Sequence, residues 1–161
     1  MRIEPRLNGV TTAIEVEAQE LLLDVLRDRL RLTGAKRSCD VQVCGTCTVL
    51  VDGLPVSACT YLAVETDGRE VMTIEGLRDS DAGERIADAF TRHAAVQCGF
   101  CTPAMVLTVH ALRESGMPLD EATVRRELAG NLCRCTGYRA ILDAVMELGA
   151  VTDLDAGGTP A

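Results

Sequence analysis

The spacing of apolar and polar positions changes once along the 161-residue chain, near Gly76. Before that point the apolar residues fall in short runs. Residues 2–7 and 11–17 read as strand-like segments around Asn8-Gly9, a strong two-residue hairpin signal. Leu22, Val25, Leu26 and Leu30 then recur at helical spacing, with Arg29 and Arg31 near the end of that helix, where cations suit the helix dipole, and Gly34 as its close. A cysteine-rich loop spans 39–47. Residues 48–51 and 54–58 predict a second hairpin around Asp52-Gly53, and 70–74 a last short strand. Strands wrapped around one helix predict a small α+β sheet domain over 1–76.

Beyond Gly76 the pattern is helical. Asp81 and Glu84 have the spacing of a capping box, and Ile86, Phe90 and Ala94 form an apolar stripe. Thr102-Pro103 is a good N-cap followed by Pro at the first helical position. Residues 104–112 are almost continuously apolar, which predicts a helix buried on most sides. Asp120 can cap a third helix, with Leu119 and Val124 as a hydrophobic staple, ending near Gly130-Asn131. A fourth starts after Thr136 and carries Ile141, Leu142, Val145, Met146 and Leu148 before Gly149. Four short helices predict a small bundle over 77–150. Residues 151–161, with Gly157-Gly158 and Pro160, are expected to be a flexible tail.

Composition sharpens this picture. Hydrophobic residues make 47% of the chain, so it is not a disordered one, yet Phe, Tyr and Trp make only 2%. Two small aliphatic cores are easier to build from such a mixture than one large core, and something besides packing is expected to help hold them. No apolar run approaches the roughly 18–20 residues of a membrane span. The N-terminus lacks the apolar core of a secretory signal, so a cytoplasmic, reducing setting is expected and disulfides are not. The net charge of −8 argues against nucleic acid or an anionic membrane as partner. Each half, 1–76 and 77–161, carries 8 basic and 12 acidic residues, so neither is a basic arm.

The 8 cysteines are the candidate chemistry. Cys39, Cys44, Cys47 and Cys59 have the spacing C-x4-C-x2-C-x11-C, the plant-type ferredoxin arrangement that holds a [2Fe–2S] cluster with four thiolates. Backbone N–H groups of such a tight loop can point at the sulfurs, and Gly45 allows close approach and positive φ. Cys98, Cys101, Cys133 and Cys135 have the spacing C-x2-C-x31-C-x-C, two short turns each placed before a helix. Helix N-termini converging there would lower thiol pKa and favour an anionic, thiolate-rich group, which predicts a second [2Fe–2S] cluster. Zinc held by four thiolates is the rival for either set, although C-x-C matches zinc sites poorly.

The segments CDVQVCGTCTVLVDGLPVSAC (39–59), TIEGL (73–77), QCGFCTPAM (97–105) and NLCRCTGY (131–138) resemble the small iron–sulfur subunit of molybdenum hydroxylases. That family comprises xanthine dehydrogenase, aldehyde oxidoreductase and aerobic CO dehydrogenase. The resemblance runs from the Leu7-Asn8-Gly9 hairpin to about residue 148. It implies an N-terminal β-grasp ferredoxin domain followed by a C-terminal four-helix bundle. It also implies a relay of single electrons from molybdopterin on a large subunit, through both clusters, to FAD on a medium subunit, in a heterotrimer or a dimer of heterotrimers. Gln97 and Cys135 match positions that approach the pterin. The chain departs from the usual pattern at Ser38, at Val41-Gln42-Val43 and at Ala104, where members commonly have Gly. No departure removes a ligand; those in the loop bear on its conformation and on the first cluster's potential.

Other residues have plainer readings. His93 and His110 stand alone in helical segments and read as structural. No dinucleotide, phosphate-loop or nucleophile motif occurs. Arg27, Arg29, Arg31, Lys36 and Arg37 form a basic stretch that is either an ordinary helix end or a docking patch for a flavin subunit. With no acid–base or nucleophilic constellation, substrate conversion is expected on partner chains. The expected role is electron transfer within a multi-subunit oxidoreductase. A free-standing two-cluster ferredoxin-like carrier and a zinc-stabilised interaction protein are the alternatives.

Overall fold

A computed structural model describes residues 1–155. Four two-residue strands open the chain: β1 (Arg2–Ile3), β2 (Arg6–Leu7), β3 (Val10–Thr11) and β4 (Ile14–Glu15). Each expected long run is therefore divided in two. Pro5, which has no N–H to give a ladder, stands at the first division. Asn8 (φ 48°) and Gly9 (φ 83°) turn β2 into β3, both in the left-handed region that a primed hairpin turn requires.

Helix α1 (Leu22–Asp24) runs directly into a π-helical segment, Val25–Arg29. Leu22, Val25 and Leu26 are buried, as their spacing predicts. The segment is closed by Arg31 (φ 60°), not by Gly34. Gly34 instead permits a close approach, since a Cβ there would lie 2.1 Å from Ile74 Cγ2. β5 (Thr48–Val51) and β6 (Leu54–Ser57) form the second hairpin through Asp52 (φ 50°) and Gly53 (φ 79°). A 3-10 turn (Ala63–Thr66), β7 (Glu70–Met72) and the short helix α2 (Ile74–Leu77) complete this half. The sequence pattern predicts neither of the two helical turns. β1 and β4 pair with each other, and the main sheet has the order β3-β2-β7-β5-β6. Only β2 and β7 are parallel within it.

Helices α3 (Asp81–Arg92), α4 (Thr102–Glu114), α5 (Glu121–Glu127) and α6 (Arg139–Asp155) follow, with a 3-10 turn at Leu128–Gly130. Their caps differ in part from expectation. Ser80, not Asp81, caps α3, its hydroxyl accepting from the Gly83 N–H at 3.1 Å. Cys101, not Thr102, is the N-cap residue of α4. Asp120 caps α5 as expected, accepting from the Thr123 N–H at 2.8 Å. α6 starts at Arg139 and runs past Gly149 to Asp155. Gly149 serves packing, since a Cβ there would approach Leu119 Cβ to 2.9 Å. The expected tail otherwise falls at 156–161, outside the described residues.

The architecture is mixed helix and sheet, but its cores are not two isolated ones. Successive side chains of a strand face opposite ways. Val49 and Val51 pack with Leu22, Leu23 and Leu26, whereas Leu50 between them joins Ile86, Phe90, Met105, Val124 and Ile141 in the helical core. A third cluster gathers Ile3, Ile14, Val16, Val25 and Ala63. Strand β5 is thus buried on both faces and belongs to both halves. Among the described residues no helix is long and apolar enough to cross a membrane.

Candidate metal centres

The loop 39–47 is shaped by left-handed residues. Asp40 (φ 56°), Gln42 (φ 57°) and Gly45 (φ 66°) turn it repeatedly. Two of the three are not glycine, and each such residue costs on the order of 1–2 kcal/mol in this conformation. Side chains offset the cost: Asp40 accepts from Arg37 at 2.8 Å, and Gln42 accepts from the Thr60 hydroxyl at 3.1 Å. At position 45 only glycine fits, because a Cβ would stand 2.1 Å from the Gly130 carbonyl oxygen.

This winding aims backbone N–H groups at the Cys39 sulfur. Val43 N lies 3.4 Å and Cys44 N 3.3 Å from Sγ. The N–H groups of Val41, Cys44 and Val43 lower the Cys39 pKa to about 6. Cys44, Cys47 and Cys59 are buried. Burial pushes the Cys47 thiol up to about 11, and Cys59 is its hydrogen-bonding partner. Cys39 is likewise paired with the Cys44 side chain.

The second set is brought together from two turns. Cys98 and Cys135 are exposed and their sulfurs lie 3.4 Å apart. Cys101 and Cys133 form the inner pair. Burial raises Cys101 to about 12. Burial also opposes ionisation of Cys133, but the Thr136 hydroxyl, 3.1 Å from its sulfur, and the N–H groups of Thr136 and Cys135 outweigh it, so that thiol is lowered. Cys98 is lowered by the Phe100 N–H and by Cys135, while Cys135 is raised by that same bond. Each outer or inner pair therefore combines one thiol that ionises readily with one that holds its proton. Among the described residues no three His, Cys, Asp or Glu side chains converge as the ligands of one ion.

The two sets touch through backbone. Leu132 N donates to the Cys44 carbonyl at 2.8 Å, joining the residue before Cys133 to a cysteine of the first set. Tyr138 OH accepts from Cys133 N at 2.9 Å and donates to the Asn131 carbonyl at 3.0 Å, which fixes the second turn. In the sequence Asn131, Thr136 and Tyr138 stand out only as letters of a motif. A polar residue within two or three positions of a Cys-x-Cys pair was the available signal.

Gln97 is exposed beside Cys98, with Val96 and Phe100 exposed around it. Val41 and Val43 are the exposed apolar residues of the first loop. The basic stretch is largely engaged locally. Arg27 donates to the Thr33 and Ala35 carbonyls, Lys36 to the Thr33 carbonyl, Arg29 pairs with Glu20, and Arg37 with Asp24 and Asp40. These contacts favour the helix-end reading over the docking patch. His93 Nε2 lies 2.6 Å from Glu147 Oε2 and ties α3 to α6. His110 is half-buried, and burial lowers its pKa.

Two family models match the chain. Residues 6–73 match the family described as 2Fe-2S iron-sulfur cluster binding domain, and residues 73–146 match the [2Fe-2S] binding domain family. The chain is 41% identical over 147 residues to the 6-hydroxypseudooxynicotine dehydrogenase complex subunit beta of Paenarthrobacter nicotinovorans, covering 91% of this chain and 92% of that one. It is 39% identical over 147 residues to the xanthine dehydrogenase iron-sulfur-binding subunit of Escherichia coli O157:H7, covering 90% and 92%. Among solved structures, a chain of quinoline 2-oxidoreductase from Pseudomonas putida 86 superposes with a TM-score of 0.86 at 41% identity, covering 99% of this chain and 98% of that one.

Proposed function

The chain belongs to the iron–sulfur subunits of the molybdenum hydroxylases, the xanthine dehydrogenase and aldehyde oxidoreductase group, and from that membership we propose how its own residues serve electron transfer. Cys39, Cys44, Cys47 and Cys59 hold one [2Fe–2S] cluster, and Cys98, Cys101, Cys133 and Cys135 hold the other. The observation that carries this reading is the match of residues 6–73 and 73–146 to two [2Fe–2S] binding families, each span holding four of the eight cysteines. Within the second set the Cys98 and Cys135 sulfurs lie 3.4 Å apart, and in the first the Val43 and Cys44 N–H groups point at the Cys39 sulfur.

When bound, each cluster would accept and release one electron at a time. The chain supplies the setting. Val43 and Cys44 N–H groups stabilise negative charge at Cys39, and the Thr136 hydroxyl does so at Cys133. The protons held by Cys47 and Cys101 leave when those thiols become ligands. The Leu132–Cys44 hydrogen bond keeps the two sites in fixed relation. In this reading the exposed face with Gln97 and Cys135 meets a large molybdopterin subunit, and the loop with exposed Val41 and Val43 meets a medium FAD subunit. The assembly is a heterotrimer or its dimer. Residues 1–76 form the β-grasp ferredoxin domain and 77–150 the four-helix domain. A cytoplasmic setting suits eight free thiols.

Metal and sulfide analysis with EPR tests the assignment. About four iron and four acid-labile sulfide per chain, with two distinct reduced signals, are expected. Zinc without sulfide would end it. Co-purification with molybdopterin- and FAD-containing chains separates the subunit from a free-standing carrier.

A further inference from the structure

Asn131 lies two residues before Cys133, is 4% exposed, and reaches across to the other half of the molecule. Its side-chain nitrogen donates to the Gly45 carbonyl at 3.1 Å and to Thr48 Oγ1 at 3.2 Å. Its side-chain oxygen accepts from Thr108 Oγ1 at 3.1 Å. The Gly45 carbonyl can only accept, so it dictates which end of the amide faces it. The amide is thus locked by partners in the loop of the first centre, in β5 and in α4.

The consequence falls on Gly45. Its carbonyl oxygen also receives the Thr48 N–H at 3.1 Å and the Thr48 hydroxyl at 2.6 Å. Three donors on one oxygen hold the Gly45–Thr46 peptide against rotation. That peptide is trans and planar, so the Thr46 N–H points opposite to the carbonyl, away from Asn131. Thr46 is 5% exposed, sits between Cys44 and Cys47, and places its hydroxyl 3.3 Å from Cys44 Sγ. Among the described residues its N–H has no acceptor. A buried N–H demands a partner, and sulfur is what the first centre would offer.

We propose that Asn131 is a positioning residue for the first centre: by holding the Gly45 carbonyl it aims the Thr46 N–H at a sulfur of the cluster in the opposite half. The proposal rests on the two-cluster reading above. Hydrogen bonds to the sulfurs help set a cluster's potential. Such a bond favours the reduced, more negative state and so raises the potential. Asn131 therefore ties the first centre's potential to the placement of the segment that carries Cys133.

Two uncharged variants of the full chain, loaded with both clusters, test this by EPR-monitored redox titration. Asn131→Leu keeps the branched shape and removes the whole amide, donors and acceptor alike. Thr108→Val removes only the hydroxyl that orients the amide. The first centre's potential is expected to fall in Asn131→Leu and to fall less in Thr108→Val, with its EPR line displaced and the second centre's potential at the parent value. A first-centre potential and line unchanged in both variants, even with a lowered Tm, would make Asn131 merely structural and overturn the proposal. Should Asn131→Leu fail to fold, Thr108→Val decides alone: a fall supports, the parent value refutes. Iron and sulfide in the unaltered chain report separately on the cluster reading, so its failure shows before any variant is compared.

Discussion

Cys39, Cys44 and Cys47 lie within nine residues of one another, whereas Cys101 and Cys133 are separated by α4, α5 and the turns between them. The first set is shaped by its own loop, which points backbone N–H groups at the Cys39 sulfur. The second is assembled by docking helices, and side chains of the second turn, Thr136 and Tyr138, finish it. Loop closure costs more for the longer connection, so a metal clip contributes more to order there. The comparison teaches that one fold can hold two chemically similar centres by local geometry at one and by tertiary packing at the other.

The largest effect should come from removing a ligand on each side. Cys39→Ser is expected to lower iron from about four to about two per chain and to erase one EPR signal, leaving the other unchanged. Cys133→Ser is expected to erase the other signal and also to perturb the first, because Leu132 holds the Cys44 carbonyl. Equal and independent losses would break the asymmetry.

Next is Leu50→Ala. A buried Leu truncated to Ala costs about 2–5 kcal/mol. Leu50 sits on a strand of the first half but packs into the helical core. Denaturant unfolding followed by hydrogen exchange should show both halves weakened together. Loss of protection in the helices alone would show that the halves are energetically separate.

Tyr138→Phe removes a hydroxyl that serves Cys133 N and the Asn131 carbonyl. A cost of about 1 kcal/mol is expected, with the second EPR signal broadened and the first changed less. The smallest effect belongs to the surface pair linking α3 and α6. Arg92, then His93, hold the Glu147 carboxyl below its ordinary range. A lowered carboxyl pKa contributes stability above the ordinary carboxylate range and loses it as pH falls through the lowered value. Glu147→Gln should therefore lower Tm slightly at pH 7, and the difference should close on acidification past that range.

Much of this was legible in the sequence where the signal is local. Asn8-Gly9 and Asp52-Gly53 announced their hairpins because positive φ at two successive residues demands such pairs. Asp120 announced its helix because the N–H that its carboxylate accepts from sits three residues on. The cysteine spacing divided the eight thiols into the same two groups of four that the two family matches enclose. What was not legible depends on distant partners. Gly149 resembled a helix stop, yet it admits Leu119. The π-helical segment and α2 are too short for a periodic signal. Asp40 and Gln42 take a conformation that glycine usually supplies, and only their bonds to Arg37 and Thr60 explain it. Asn131 bonds to residues 83 and 86 positions earlier in the chain, a distance that no local pattern encodes.

The two-sided burial of β5 also sets an order for biosynthesis. The segment to Gly76 is made before the helices, with its hairpins and the four cysteines of the first set already present. Its sheet cannot yet cover Leu50, nor the half-buried Met72 and Ile74 beside it, because the helices that do so are still unmade. The nascent domain thus waits with a sticky face until α4 emerges. Interrupting translation between Gly76 and Thr102 would strand a chain that carries the first four cysteines but is prone to aggregate.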